Sequence, residues 1–141
     1  MLATRSEMIN YIPQRAPFIA VHEILHVTDQ SAETQLEVLP ESVFVTNNLF
    51  REPGLIENIA QTGAAQMGYA CKKKGLPVPI GYIASIKNLK VHSLPPIGAV
   101  LTTSIQVTNH VLNVILLEGT IRLQGAIVCQ CEMRIFVEGK A

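Results

Sequence analysis

A chain of 141 residues that is 48% hydrophobic has room for one domain with a substantial core, and none for a second. Its formal net charge is +0, and apart from Lys72-Lys73-Lys74 its cations are dispersed, which excludes a basic stripe for nucleic acid. With only 16% charged residues, part of the surface is expected to be covered by another subunit, in a homodimer or higher oligomer.

Along the chain, Ser6 to Tyr11 predicts a short helix capped by Ser6 and stopped by Pro13. The segment around it, MLATRSEMINYI, lacks an apolar signal-peptide core. No apolar run approaches the roughly 20 residues that span a bilayer, so a soluble, cytoplasmic protein with no membrane partner is expected. Ala20 to Thr28 alternates, with Val21, Glu23, Leu25 and Val27 on one face, and Asp29-Gln30-Ser31 turns it into Ala32 to Leu39, a hairpin. Pro40 to Glu52, containing Asn47 and Asn48, has no clear period and reads as a loop.

Pro53 to about Lys73 is the one long helix, with Pro in its first turn and Gly75 beyond its end. Ile56, Ile59, Ala60, Gly63, Met67 and Ala70 share an arc, the expected core face. Gly54, Glu57, Gln61, Ala64 and Gly68 share a second arc, where small residues let another backbone approach and leave Glu57 and Gln61 as the only long polar side chains. The third arc, Asn58, Thr62, Gln66 and Tyr69, is expected to be partly solvated. Four strands follow: Ile80 to Val91, then a Leu94-Pro95-Pro96-Ile97-Gly98 break, Ala99 to Thr108, Val111 to Leu123 and Ala126 to Val137. In the last of these Ile127, Cys129, Cys131, Met133, Ile135 and Val137 alternate onto one face. Two strands, a helix and four strands with short connections describe an α+β fold, an antiparallel sheet packed on one long central helix in a single domain, 1–141.

The chemistry-bearing residues are few. Cys71, Cys129 and Cys131 form no CxxC pair, and the last two read as small buried hydrophobes. His22 and His26 would lie about 13 Å apart on a strand, too far to share a metal. No P-loop, dinucleotide fingerprint, nucleophile elbow or Cys/His metal set appears, so neither cofactor nor metal is expected. Tyr82, beside Gly81, could line a binding site or pack in the core.

Particular stretches carry a resemblance. Ile12-Pro13-Gln14-Arg15-Ala16-Pro17-Phe18-Ile19-Ala20-Val21 resembles the opening L-P-H-R-Y-P-F-L-L-V of the 3-hydroxyacyl-(acyl carrier protein) dehydratases, a family with the hot-dog fold. Pro53-Gly54 followed by Glu57-Asn58-Ile59-Ala60-Gln61 is similar to that family's helix start, P-G-V-L-I-x-E-A-M-A-Q. Ile83 to Val91 and the Pro96-Ile97-Gly98 break resemble the strand and turn that follow, so the correspondence covers nearly the whole chain in order. It implies a sheet wrapped around the helix, sheets of two protomers joined edge to edge, and a tunnel at their interface for an acyl thioester on acyl carrier protein or coenzyme A. A loop histidine and a helix acid from the other protomer then eliminate water from a β-hydroxyacyl group, in fatty-acid or polyene-type biosynthesis.

By position Glu57 matches the acid and Gln61 its neighbour, and the chemistry needs both a base for the α-proton and a donor for the departing hydroxyl. Gly54, at the helix N-terminus, is implied to offer its N–H to the thioester carbonyl. The family's G-H-F-P histidine, however, is missing from Val43 to Pro53; the loop is shorter, and Glu57 follows the Pro-Gly pair two residues sooner. Gln14 replaces the opening histidine, and Asn48 stands nearest the place of the catalytic one, where an amide cannot act as a base. Three readings stay open: a dehydratase using Glu57 and another group, a hot-dog thioesterase in which Glu57 activates water, and a non-catalytic acyl-binding subunit paired with a homologue.

Overall fold

The helix predicted from Pro53 forms over its whole length. In the computed structural model, which describes residues 1–138, α1 runs Glu52–Lys73. Arg51 ahead of it is extended, Pro53 lies in the first turn where its missing N–H costs nothing, and Lys72 and Lys73 stand at the negative end of the dipole. At the far end Leu76 N–H closes onto Cys71 O at 2.9 Å.

Before α1 come a 3-10 helix (Arg5–Asn10), the hairpin β1 (Glu23–Val27) and β2 (Ser31–Glu37), and a miniature hairpin, β3 (Val45–Thr46) and β4 (Leu49–Phe50). After it come β5 (Ile80–Val91), β6 (Val100–Val111), β7 (Val114–Leu123) and β8 (Ala126–Glu138). Six strands form one antiparallel sheet in the order β1-β2-β6-β7-β8-β5, which wraps α1 and leaves β1 and β5 as its edges. The expected α+β arrangement of a sheet around one helix therefore holds.

Local chemistry moved several boundaries. The first helix starts earlier than Ser6 because Glu7 reaches back to accept from Thr4 N–H at 2.9 Å. The stretch read as a loop contains the β3–β4 hairpin, whose turn is Asn47-Asn48 at φ 53° and 66°. Asparagine tolerates this left-handed backbone, and such turns match strand twist. In β1 the alternation fails: of the predicted face only Val21 is buried, Glu23, Leu25 and Val27 are half-buried, and Ile24 is buried instead; the register shifts between Ile24 and His26 and leaves Leu25 as the extra residue. A second shift, between Ile121 and Arg122 on β7, turns Ile127 out to 39% exposure and buries Val128 in its place. From Cys129 to Ile135 the predicted face is buried, and burial alone pushes the Cys129 thiol up to about 11.

The core is built on Leu55 and Ile59 of α1 against Leu101, Ile105, Leu117 and Ile121. Each such wholly buried side chain contributes about 1.5–3 kcal/mol. Ile59 approaches so closely that a Cβ at Gly119 would collide with it. A smaller cluster, Met8, Ile12, Val21 and Ile24 around Ala65, sits on the small-residue arc of α1. There the expected close approach of another backbone is realised, since a Cβ on Gly68 would collide with the Tyr11 carbonyl.

The arc expected to be partly solvated is the main correction. Tyr69 is half-buried as expected, but Asn58 and Thr62 are 0% exposed and Gln66 is 6% exposed, each hydrogen-bonded in the interior. Asn58 Nδ2 donates to Ala20 O at 2.8 Å and Asn58 Oδ1 accepts from Thr103 Oγ1. Thr62 Oγ1 donates to Asn58 O at 2.8 Å and lies 2.7 Å from Thr34 Oγ1. Gln66 Nε2 donates to Thr28 O and Asp29 O at 3.0 and 3.2 Å. Helical periodicity cannot tell water from an interior partner as the mate of a polar arc. Replacing Asn58 by Ala strands both the Ala20 carbonyl and the Thr103 hydroxyl, so we expect a loss of about 2–4 kcal/mol of unfolding free energy. Urea titration reads this as a lower midpoint at unchanged slope; a change within experimental error would show that the arc carries no stability.

Candidate active site

Between α1 and the β5–β8–β7 end of the sheet lies a cavity of about 300 Å³. One wall is Ala60, Gly63 and Met67 of α1, the arc that the sequence assigned to the core; the facing wall is Ile115, Leu117 and Ile135. Among the described residues, four polar side chains line it: Gln14, Glu57, Gln66 and Tyr82. An apolar chamber with few polar groups suits an apolar ligand that carries one reactive end.

Glu57 enters this cavity half-buried, from the first turns of α1. Its Oε2 accepts from Gln61 Nε2 at 2.6 Å, one helical turn on. Gln61, 0% exposed, also donates to Phe18 O at 2.9 Å and accepts from Ala20 N–H at 2.7 Å. Both amide protons are thus committed, so Gln61 orients Glu57 and fastens residues 18–20 to α1 while lying outside the cavity wall. Tyr82 lines the cavity from the edge strand β5, 53% exposed, with its hydroxyl 3.3 Å from Glu138 Oε1.

Two other expected site residues lie elsewhere. Asn48 is exposed at the β3–β4 turn, where its carbonyl accepts from Ile97 N–H at 3.2 Å. Gly54 is buried beneath Phe44 and Phe50, and its N–H is already bonded to Arg51 O at 2.9 Å. The shortened loop accounts for both, since it closes a tight hairpin directly onto the helix start. Gln14, noted in the sequence only as a substitute for a histidine, does line the cavity. Its position before a Pro-containing segment that packs on α1 was the available signal.

The family model described as ApeP dehydratase, of the ApeP-like group, matches residues 6–140. The chain belongs to the ApeP-like dehydratase family. Its fold is that of the dehydratase heterocomplex ApeI:P from Xenorhabdus doucetiae, with a TM-score of 0.88 at 18% identity over 94% of this chain and 91% of that one. It is also similar to a hypothetical thioesterase protein with coenzyme A from Streptococcus pneumoniae TIGR4, with a TM-score of 0.67 at 16% identity over 84% and 86% of the two chains. The PaaI protein of E. coli gives a TM-score of 0.63 at 15% identity over 81% of each chain. No curated protein sequence matches. Family membership makes the chain a dehydratase-like protein, and the solved structures establish the hot-dog fold.

No histidine of this family member lines the cavity. His92 and His110 are exposed, and the bulge in β1 separates the two histidines read onto one face, leaving His26 exposed and His22 buried. His22 Nδ1 accepts from Glu37 N–H at 3.2 Å. Among the described residues no group of three His, Cys, Asp or Glu side chains could hold a metal ion. No helix among them is long and apolar enough to cross a membrane.

Burial pushes the His22 imidazole down from 6.5 to about 4, with the Arg5 guanidinium acting in the same direction and the Glu37 carboxylate opposing. The unfolded chain therefore binds a proton near pH 6.5 that the folded chain refuses until about pH 4. Stability present above the upper value is lost as pH falls through this window. We expect His22→Gln, which keeps an acceptor for Glu37 N–H, to shrink the drop in urea midpoint between pH 6.5 and pH 4. An equal drop in both proteins would assign the acid sensitivity to other groups.

Proposed function

We propose that the chain dehydrates 3-hydroxyacyl thioesters, carried on acyl carrier protein or coenzyme A, to 2-enoyl thioesters in fatty-acid or polyene-type biosynthesis. The observation that carries this reading is Glu57: a carboxyl clamped by Gln61 and facing a mostly apolar cavity in a chain of dehydratase lineage. Because Glu57 Oε2 accepts from Gln61, Oε1 is the oxygen that presents the proton. A base removes the α-proton, the new double bond forms as the β C–O bond breaks, and the hydroxyl leaves as water with the proton from Glu57. The acyl tail lies along Ile115, Leu117 and Ile135, while Tyr82 borders it at the sheet edge.

The base comes from a second hot-dog chain. Two features favour this over a self-sufficient protomer. None of this chain's histidines lines the cavity, and β5 is an edge strand whose Ile80, Tyr82 and Ile83 are 43%, 53% and 36% exposed. Since Pro79, Gly81, Tyr82 and Ile83 help to line the cavity, a chain joined along β5 covers it and can present its own loop residues to Glu57. The ApeI:P structure is described as a heterocomplex, and we carry that arrangement over: a homologue of this chain is the partner, in a heteromer rather than a homodimer.

The test incubates the chain, alone and with a co-expressed hot-dog homologue, with 3-hydroxyacyl, trans-2-enoyl and saturated acyl thioesters, and weighs the products. Water loss or addition is expected in the mixed assembly. Thiol release from the saturated thioester would replace this reading with a thioesterase, and no turnover in any form would reduce the chain to an acyl-binding subunit. Glu57→Gln in the active assembly is expected to lower turnover by about 100-fold or more with an unchanged melting temperature. Undiminished turnover in that variant would remove Glu57 from the chemistry.

A further inference from the structure

On its helix side the cavity runs from Glu57 to Met67 by way of Ala60, Gly63 and Ala64. Gln66 borders it too, but its amide protons are spent on Thr28 O and Asp29 O. Between Glu57 and Met67 the stripe therefore offers only two methyl groups and a glycine, a smooth apolar track with the carboxyl at its start. At about 1.5 Å of rise per residue, the track from position 57 to position 67 is about 15 Å long.

Met67 ends this track. Of the α1 residues that line the cavity it lies farthest from Glu57, and Ala70, the next position on its arc, does not line it. Past the helix the chain turns back, with Gly75 at φ 72°, and contributes Pro79 and Gly81 to the wall. Met67 is half-buried, so part of its side chain stays within reach of a molecule in the cavity. A long side chain on a helix leans toward the N-terminus, over the turn before it, which carries Met67 across Gly63 and Ala64. Sequence periodicity gave the same residue a core role, and a flexible thioether serves either purpose.

We infer that Met67 is a specificity-determining residue: it closes the acyl chamber and sets the longest tail that the chamber takes. This rests on the acyl-thioester reading above, with the β-carbon at Glu57 and the tail running toward Met67. An extended chain covers about 3.5 Å for every three bonds, so about 15 Å holds roughly a dozen carbons beyond the β-carbon. Up to that length, each added methylene leaves water for an apolar wall and tightens binding about four-fold. A longer tail has to displace Met67 or fold back on itself, and the gain stops.

The test uses non-hydrolysable S-alkyl pantetheine thioethers with straight chains from about 6 to about 20 carbons. Calorimetry gives the dissociation constant of each for the full chain in its assembled form. Affinity is expected to rise with length and to break off near the length of the track. Met67→Ala opens the chamber by about one helical turn and is expected to move the break about four carbons longer, with the short thioethers unaffected. Ala64→Leu places bulk about one turn nearer Glu57 and is expected to move it about four carbons shorter. If Ala64→Leu fails to fold, Met67→Ala decides alone. No break in the unsubstituted assembly, or a break that Met67→Ala leaves in place, would overturn the inference. So would equal weakening of every length by Met67→Ala, which would assign that stretch of wall to the pantetheine arm or to packing. If the unsubstituted assembly binds no thioether of any length, the thioester reading itself falls, and the role of Met67 with it.

Discussion

A helix enclosed by a sheet must find partners for every polar side chain it carries inward, and here those partners are mostly backbone groups of one segment. Asn58, Gln61 and Gln66 bond to Phe18, Ala20, Thr28 and Asp29, so three amides along α1 stitch residues 18–29 to its surface. Breaking any one leaves a peptide group buried without water, which costs more than the bond contributes when made. The stitching holds β1 and its bulge in place, and through them the start of the sheet.

The site inherits its order from the same constraint. Gln61 uses one amide proton to hold the chain at Phe18 and the other to hold Glu57, so the carboxyl is oriented by the same side chain that anchors the N-terminal segment. Gln14, four residues before Phe18, comes to the cavity on that anchored stretch. The result is an asymmetric chamber, with Glu57, Gln14, Gln66 and Tyr82 among apolar side chains and the edge strand β5 along one border. Its lack of a histidine is consistent with a site completed by another chain, because elimination of water needs a base and a donor at once.

Much of this was legible from residue order. Pro53 and the lysines at 72–74 marked both ends of α1, and β7 and the part of β8 after Val128 followed their alternation closely, because each of these signals is local. Bulges were not legible: one extra residue at Leu25, and another at Val128, exchange inner and outer faces without changing composition. Nor was the fate of Asn48. A shortened loop containing Asn47-Asn48 could have been a binding loop, and only pairing of Val45 with Phe50 made it a turn.

By itself the sequence determined that an antiparallel sheet would pack on one long helix, and that Glu57 and Gln61 would share a side of it. Both follow from repeats of 3.6 and 2 residues, which depend on neighbours along the chain. Tertiary structure alone decided what those sides face. Asn58, Thr62 and Gln66 proved interior because the segments at 20–34 and Thr103 supply their hydrogen bonds, while Ala60, Gly63 and Met67 border a cavity because the facing strands do not fill it. A polar arc is satisfied equally by water or by a distant peptide group, and only the path of the whole chain chooses between them.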